Sequence, residues 1–298
     1  MGQLAQAVTV SGITSRSFWK RDAVWQAMVI VALVGWLYAP VLARLVQQWW
    51  FDSNFSHGFF VPIFSLVVIW NKRFELASIP RTPNTWGVAL ILAALSTLVL
   101  GIFGAELFLS RISLLLLIAG LIVFFGGTRL VRALMFPLVF LVLMVPIPAI
   151  IFSQITFPLQ ILASRLSAWI LPVLGVPVLR EGNVINLPAM PLEVAEACSG
   201  IRSLLSLITL AIIYGYFLEK RISTRVALAI ASIPIAVVAN GLRIVGTGLL
   251  VQYWDPDKAE GFFHAFSGWL VFVVSLLMLY FVHRCLEFLE RDRGEAMV

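Results

Sequence analysis

Three short intervals hold the side chains with the most chemical potential. They are Glu193-Val194-Ala195-Glu196-Ala197-Cys198-Ser199-Gly200-Ile201-Arg202-Ser203, then Ala239-Asn240-Gly241-Leu242-Arg243, then His264-Ala265-Phe266-Ser267-Gly268. A thiol, a guanidinium and an imidazole are the parts needed for acyl transfer: nucleophile, oxyanion donor and acid/base. With only 2 Cys and 3 His in 298 residues, thiol or imidazole chemistry rests on very few groups. Cys198 precedes an apolar run expected to be a helix over 199–218, and a helix N-terminus favours thiolate. Arg202 is four residues on, so on a helix it shares the face of Cys198 and also favours thiolate. Glu193 and Glu196 act in the opposite direction. His264 opens another apolar run, and His57, in Ser56-His57-Gly58, is a second candidate base. Arg243 lies inside a third run, where an ionisable residue is costly and marks a candidate site. Each group also has a plainer reading: Cys198 as a small buried apolar residue, His264 as an interfacial ring, and Arg243 as a structural partner of Glu106 or of a backbone carbonyl.

The elements that must position these groups are set by composition. Hydrophobic residues make up 61% of the chain and charged residues 12%. A soluble domain carries about twice that charge, and disorder needs the opposite balance. Both classes are excluded. The chain reads as an all-α integral membrane protein with eight predicted spans, at 24–46, 57–70, 85–105, 109–126, 130–151, 199–218, 226–252 and 265–283. Segment 153–174 carries Gln154, Gln160 and Arg165, with Pro158 and Pro172. It reads as one interfacial or re-entrant helix. Residues 175–197 form the longest outer loop, a small cap in which Val176–Arg180 and Val184–Leu187 read as strands around a turn at 181–183. The whole of 1–298 reads as a single polytopic membrane domain, with cytoplasmic tails at 1–23 and 286–298. The first span reads as a retained anchor and not a signal peptide.

Charge orients the spans. With the N-terminus inside, 14 Lys and Arg fall in inner segments and 4 in outer ones, namely Arg111, Arg165, Arg180 and Lys258. That is a positive-inside pattern. It puts Cys198, His264 and His57 on the outer side. It puts His283 and Cys285 on the inner side, as snorkelled or interfacial residues. The net charge of +6 is explained by those loops, so no nucleic-acid partner is implied. One difficulty is depth: Arg243 lies ten residues, roughly 15 Å, short of Tyr253 at the outer end of its span. Gly241, Gly246 and Gly248 are positions where that helix could bend or break.

Other membrane chemistries lack their motifs. There is no His-Glu-x-x-His, no paired intramembrane Asp, no Cys-x-x-Cys and no Gly-rich phosphate loop. The order Ala197-Cys198-Ser199-Gly200-Ile201-Arg202-Ser203, Asn240-x-x-Arg243 and His264 resembles the exosortase/archaeosortase family. Ser56-His57-Gly58-Phe59-Phe60-Val61-Pro62 is similar to that family's second-span region, and Arg180-Glu181-Gly182-Asn183 to the loop before its Cys. The resemblance runs from about residue 25 to 285. It implies a membrane cysteine transpeptidase of the inner membrane, working with no cofactor or metal. Its substrates are exported, membrane-anchored proteins bearing a C-terminal sorting signal: a Pro-Glu-Pro motif, an apolar helix and a basic tail. By that resemblance Cys198 is the nucleophile, Arg243 the transition-state stabiliser and His264 the acid/base. Arg202, Asn240, His57, Glu196 and Arg180 are supporting candidates. The inner acids Glu75, Glu219, Glu287, Glu290, Asp292 and Glu295 are candidates for contacting the basic tail.

Two rival classes remain open on sequence: a transporter using Arg243 to hold an anion, and a scaffold subunit of an export system with an inert thiol. Topology is directly testable. A Cys introduced at Asn183 is expected to react with a membrane-impermeant thiol reagent on intact cells. Labelling only after lysis reverses the orientation.

Overall fold

A computed structural model describes the backbone of residues 2–194, 200–254 and 262–295, with side chains at 25–194, 200–254 and 268–288. The apolar runs become helices α1 (Gly2–Phe51), α2 (Phe60–Asn71), α3 (Arg73–Ser78), α4 (Trp86–Phe103) and α5 (Leu107–Gly126). They continue as α6 (Thr128–Ala133), α7 (Met135–Phe140), α8 (Ala149–Val173), α9 (Ile201–Leu218), α10 (Ile222–Tyr253) and α11 (Phe262–Glu295). Tight 3₁₀ segments cover Ser53–Phe59 and Leu141–Met144. Among the described residues, eight helical stretches are long and apolar enough to cross a membrane. Their outward faces fit lipid: Trp36 is 80% exposed, Phe103 86% and Phe281 68%. In water such surface would drive association. The protein is an all-α, multi-pass membrane protein.

Seven of the predicted spans coincide with these stretches, and one does not. The expected span at 130–151 is not a single helix. It is broken into α6, α7 and the 3₁₀ turn Leu141–Met144. Pro137 lacks an N–H and its ring clashes with the carbonyl four residues back; that residue is Ala133, where α6 stops. Val145, held extended before Pro146 (φ −87°, ψ 116°), ends the segment. Side chains take up the carbonyls that regular helix would have used. Ser65 Oγ donates to Pro137 O at 3.2 Å, Trp49 Nε1 donates to Met144 O at 2.9 Å, and His57 Nε2 lies 3.2 Å from Leu143 O. These pairings run 137–144 antiparallel to 49–65. Meanwhile 149–173, expected to lie at the interface, is a continuous 25-residue helix that qualifies as a span by length and composition.

Three apolar clusters hold the helices. Leu45, Val61, Phe64, Phe140, Leu207, Leu228 and Leu279 belong to the largest, joining α1, α2, α7, α9, α10 and α11. Tyr38, Ala94, Leu98 and Leu114 join α1, α4 and α5. The third packs the cap: Leu171 of α8 and Ile244, Val245 and Val251 of α10 against Val176, Ile185, Leu187 and Val194. The cap is a three-stranded antiparallel sheet of β1 (Leu179–Glu181), β2 (Val184–Asn186) and β3 (Pro191–Glu193). Sequence patterning gave the β1–β2 hairpin, whose turn has Gly182 at φ +64°. It missed β3, which starts at a proline and is tolerated because β3 is an edge strand.

Two contacts fix the relative direction of α2 and α9. Arg202, at the start of α9, donates to Ser53 Oγ just before α2. Phe64 packs edge-on against Tyr216 and Phe217 near the end of α9, with centroids 5.8 and 5.5 Å apart. The two helices therefore run parallel. α9 and α10 are antiparallel, since Gly200 meets Asn240 at one end and Arg225 Nε donates to Glu219 O at 2.8 Å at the other.

Small residues allow α4 and α5 to approach closely, as membrane helix pairs require. A Cβ on Gly101 would lie 2.5 Å from Ser110 Oγ and 2.6 Å from its N. Gly101→Leu is expected to lower stability by about 1–3 kcal/mol through overpacking, read as a lower unfolding temperature in detergent. Gly35→Leu, with nothing within 4 Å of its Cβ position, serves as the neutral control.

Candidate active site

Glycine 200 is the pivot of the site. Its φ of +76° is left-handed, a region that L side chains enter only with strain. α9 begins at the next residue, and Leu204 N donates to Gly200 O at 2.8 Å. Any Cβ on Gly200 would meet Asn240 Cγ at 2.8 Å and Cβ at 2.9 Å. Conformation and close approach both require glycine here. Cys198, expected to share a helix face with Arg202, lies outside the described residues. Arg202 is exposed and directed at Ser53.

Asn240 is buried at 1% exposure and sits one turn before Arg243 on α10. α10 is much longer than its partner: 32 residues, or about 48 Å, against 18 residues, or about 27 Å, for α9. Because Asn240 is level with the start of α9, the last three and a half turns of α10 project beyond it into the cap. Arg243 thus stands about one turn past the N-terminal end of α9. α10 does not break at its glycines. Gly241 gives room to Leu166, and Gly248 to Leu171 and Leu187.

Arg243 is half-buried and lines a small crevice with Leu192, Glu193, Val194, Ile244 and Thr247. Its Nη2 is 3.9 Å from the Cβ position of Gly268 on α11. Gly268 follows His264 by four residues within one helix, so both lie on the same face. The side chain of His264 lies outside the described residues. Cys198 and Glu196 also lie outside them, in 195–199. The described residues that flank that segment, Val194 and Gly200, both adjoin the Asn240–Arg243 turn.

The remaining candidates are placed elsewhere. His57 is buried, and its Nε2 lies 3.2 Å from Leu143 O. Arg180 Nη1 donates to Gly182 O at 2.6 Å within its own hairpin. Glu106, weighed as a partner for Arg243, caps α5 by accepting from Phe108 N at 3.0 Å and lines a crevice with Arg111 and Asp52. Arg111, expected in an outer loop, is buried in α5. Sequence reading named Asn240 only as a support. Its neighbour in space, Gly200, gave one available signal, a glycine exactly at a helix start. The roles of Ser53 and Gly268 had none.

The Gly200–Asn240 contact makes a separable prediction. Gly200→Ala is expected to cost roughly 1–3 kcal/mol from the left-handed backbone alone, with a further steric loss. Adding Asn240→Ala should restore only part of the steric loss, because it removes Cγ but leaves Cβ at 2.9 Å. Unfolding midpoints of the two single variants and the double variant give the coupling. Simple additivity would show that the two residues do not touch.

The transmembrane exosortase family model matches residues 49–281, more than three quarters of the chain. No curated protein matches the chain, and no solved structure does. The matched stretch holds Ser53, Gly200, Asn240, Arg243 and Gly268, and also His57. The chain belongs to the transmembrane exosortases.

Proposed function

We propose that this exosortase is a cysteine transpeptidase that cuts the C-terminal sorting signal of exported, membrane-anchored proteins, with Cys198, Arg243 and His264 as its reacting groups. One observation carries the reading. Three chain segments far apart in sequence converge at one end of the bundle: the start of α9 at Gly200, the Asn240–Arg243 turn of α10, and Gly268 of α11. Cys198 is two residues from the first, and His264 is one helical turn from the last.

The chemistry follows from those roles. His264 takes the Cys198 thiol proton, and the thiolate attacks the scissile carbonyl carbon. The guanidinium of Arg243 supplies fixed N–H donors to the resulting oxyanion without losing its own charge. As the tetrahedral adduct collapses, the C–N bond breaks, and His264 returns the proton to the leaving amine. The substrate's membrane helix departs on that amine. An incoming nucleophile then resolves the thioester.

The reading places the site on the outer face of the inner membrane. Positive-inside counting supports this, and so does the parallel packing of α2 and α9. Between those helices the chain crosses by α4, α5 and the broken segment 128–144. A fourth crossing by α8 would make α9 antiparallel to α2. We therefore read α8 as lying along the outer surface, its length notwithstanding, with Phe152 beside Phe55 at its start and Leu171 in the cap near its end.

Co-expression with a tagged substrate tests the reading. Cys198→Ala is expected to abolish processing. Arg243→Lys is expected to lower it by about 10²–10³-fold, the usual cost of an oxyanion donor, since Lys keeps the charge but loses the planar fork. His264→Ala should stop turnover. His57→Ala should reduce protein yield more than specific activity, because its ring holds the Leu143 backbone. Processing by Cys198→Ala at wild-type level would overturn the mechanism. Activity in His264→Ala together with a dead, well-expressed His57→Ala would transfer the acid/base role to His57.

A further inference from the structure

At the opposite end of the bundle, a cluster of ionisable side chains is built into the helix packing and takes no part in the proposed chemistry. Glu219 follows the last residue of α9, and His283 and Glu287 are one turn apart on α11. His283 is only 5% exposed, and is not the interfacial ring expected from sequence. Its Nε2 lies 2.6 Å from Glu219 Oε1 and 3.7 Å from Glu287 Oε1. Its Nδ1 lies 2.7 Å from the Tyr214 hydroxyl. Two carboxylate oxygens therefore face one imidazole nitrogen, which carries at most one proton. Glu219 takes that hydrogen bond, and Glu287 Oε1 is left beyond hydrogen-bond range.

The three ligand atoms lie within 4.8 Å of one another. Around a metal held at about 2.0–2.2 Å, neighbouring ligand atoms stand roughly 3.0–3.5 Å apart. The observed 2.6 and 3.7 Å bracket that range. Binding would open the His283–Glu219 pair by about 0.4–0.9 Å and bring the two carboxylate oxygens, now within 4.8 Å, into the same range. The surroundings are those of a ligand set. Tyr214 holds the remote ring nitrogen, as the outer partner of a metal-bound His does. Arg284 Nη1 binds the other oxygen of Glu287, Oε2, at 2.5 Å, which leaves Oε1 directed at His283. Arg225 donates to the backbone carbonyls of Glu219, at 2.8 and 2.6 Å, and of Tyr216, at 3.3 Å. One imidazole with two carboxylates suits a borderline ion such as Zn²⁺ better than Ca²⁺ or Mg²⁺, which take oxygen alone.

We propose that Glu219, His283 and Glu287 bind one divalent transition-metal ion, zinc by ligand type, which clamps the α9–α10 turn to α11. These three helices also carry Gly200, Arg243 and Gly268, so the clamp fixes their far ends against one another. It assigns Glu219 and Glu287 a role within the chain in place of contact with a substrate tail. The competing arrangement is a metal-free network in which a doubly protonated His283 donates to Glu219 and Tyr214.

Full-length protein in nanodiscs, stripped with a chelator and titrated with Zn²⁺ against a competing chromophoric chelator, tests the proposal. One zinc per chain is expected. His283→Asn and Glu219→Gln should each weaken binding by more than about tenfold, and Tyr214→Phe by about 10–100-fold, the usual effect of losing an outer partner. Glu287, 41% exposed, gives in Glu287→Gln the variant least able to disturb folding, and it too should lose affinity. Cys198→Ala and Cys285→Ser should bind as wild type does. Co²⁺ in place of zinc should give visible d–d bands without a thiolate charge-transfer band. Zinc should raise the unfolding temperature of wild type but not of Glu287→Gln. Wild-type protein that retains no stoichiometric zinc overturns the proposal, as does wild-type affinity in both Glu219→Gln and Glu287→Gln. Since processing is not read, the result is independent of the mechanism proposed for the other end.

Discussion

The site depends on one close approach, the seating of Gly200 against Asn240. At this point α9 can start only from a residue that accepts a left-handed backbone and has no Cβ. The contact sets the height of α9 against α10. Because α10 is the longer helix, that height decides which of its residues leave the bundle and enter the cap. Arg243 is the first charged residue beyond it. A shift of one turn in either direction would bury the guanidinium among α9 side chains or lift it away from Gly268. The apolar cluster of Leu171, Ile185, Ile244 and Val251 then holds the projecting part of α10 in a fixed direction.

A second constraint is the cost of leaving backbone polar groups unpaired in lipid. It explains why the broken segment 128–144 is tied to its neighbours by side-chain hydrogen bonds at Pro137, Leu143 and Met144. Proline forces the break, and Ser65, Trp49 and His57 supply partners for the exposed carbonyls. His57 thereby has a structural role that needs no catalytic one. The same logic operates at the far end, where Tyr214 and Glu219 take the two ring nitrogens of the buried His283 between α9 and α11. The two ends of the bundle are thus chemically distinct. One presents a crevice beside an Arg, and the other a cluster of two carboxylates around one imidazole.

Composition and run length by themselves determined that this is a helical membrane protein, because burial in lipid demands long apolar runs and few charges. They also located the eight long helices, the one at 149–173 as an expected interfacial helix over 153–174, and strand patterning located the hairpin of the cap. Local motif order named the Cys198, Arg243 and His264 intervals. What a one-dimensional reading could not decide was depth, direction and register. The height of Arg243 depends on where α9 stops beside α10, and no feature of 226–252 reports that. The break at 130–151 depends on whether neighbours can accept freed carbonyls. The burial of His283 depends on a carboxylate 64 residues away. Each is a contact between segments distant in sequence, so hydropathy, which averages over neighbours along the chain, carries no record of it. The tertiary structure alone decided these, because only packing sets which ends of which helices meet.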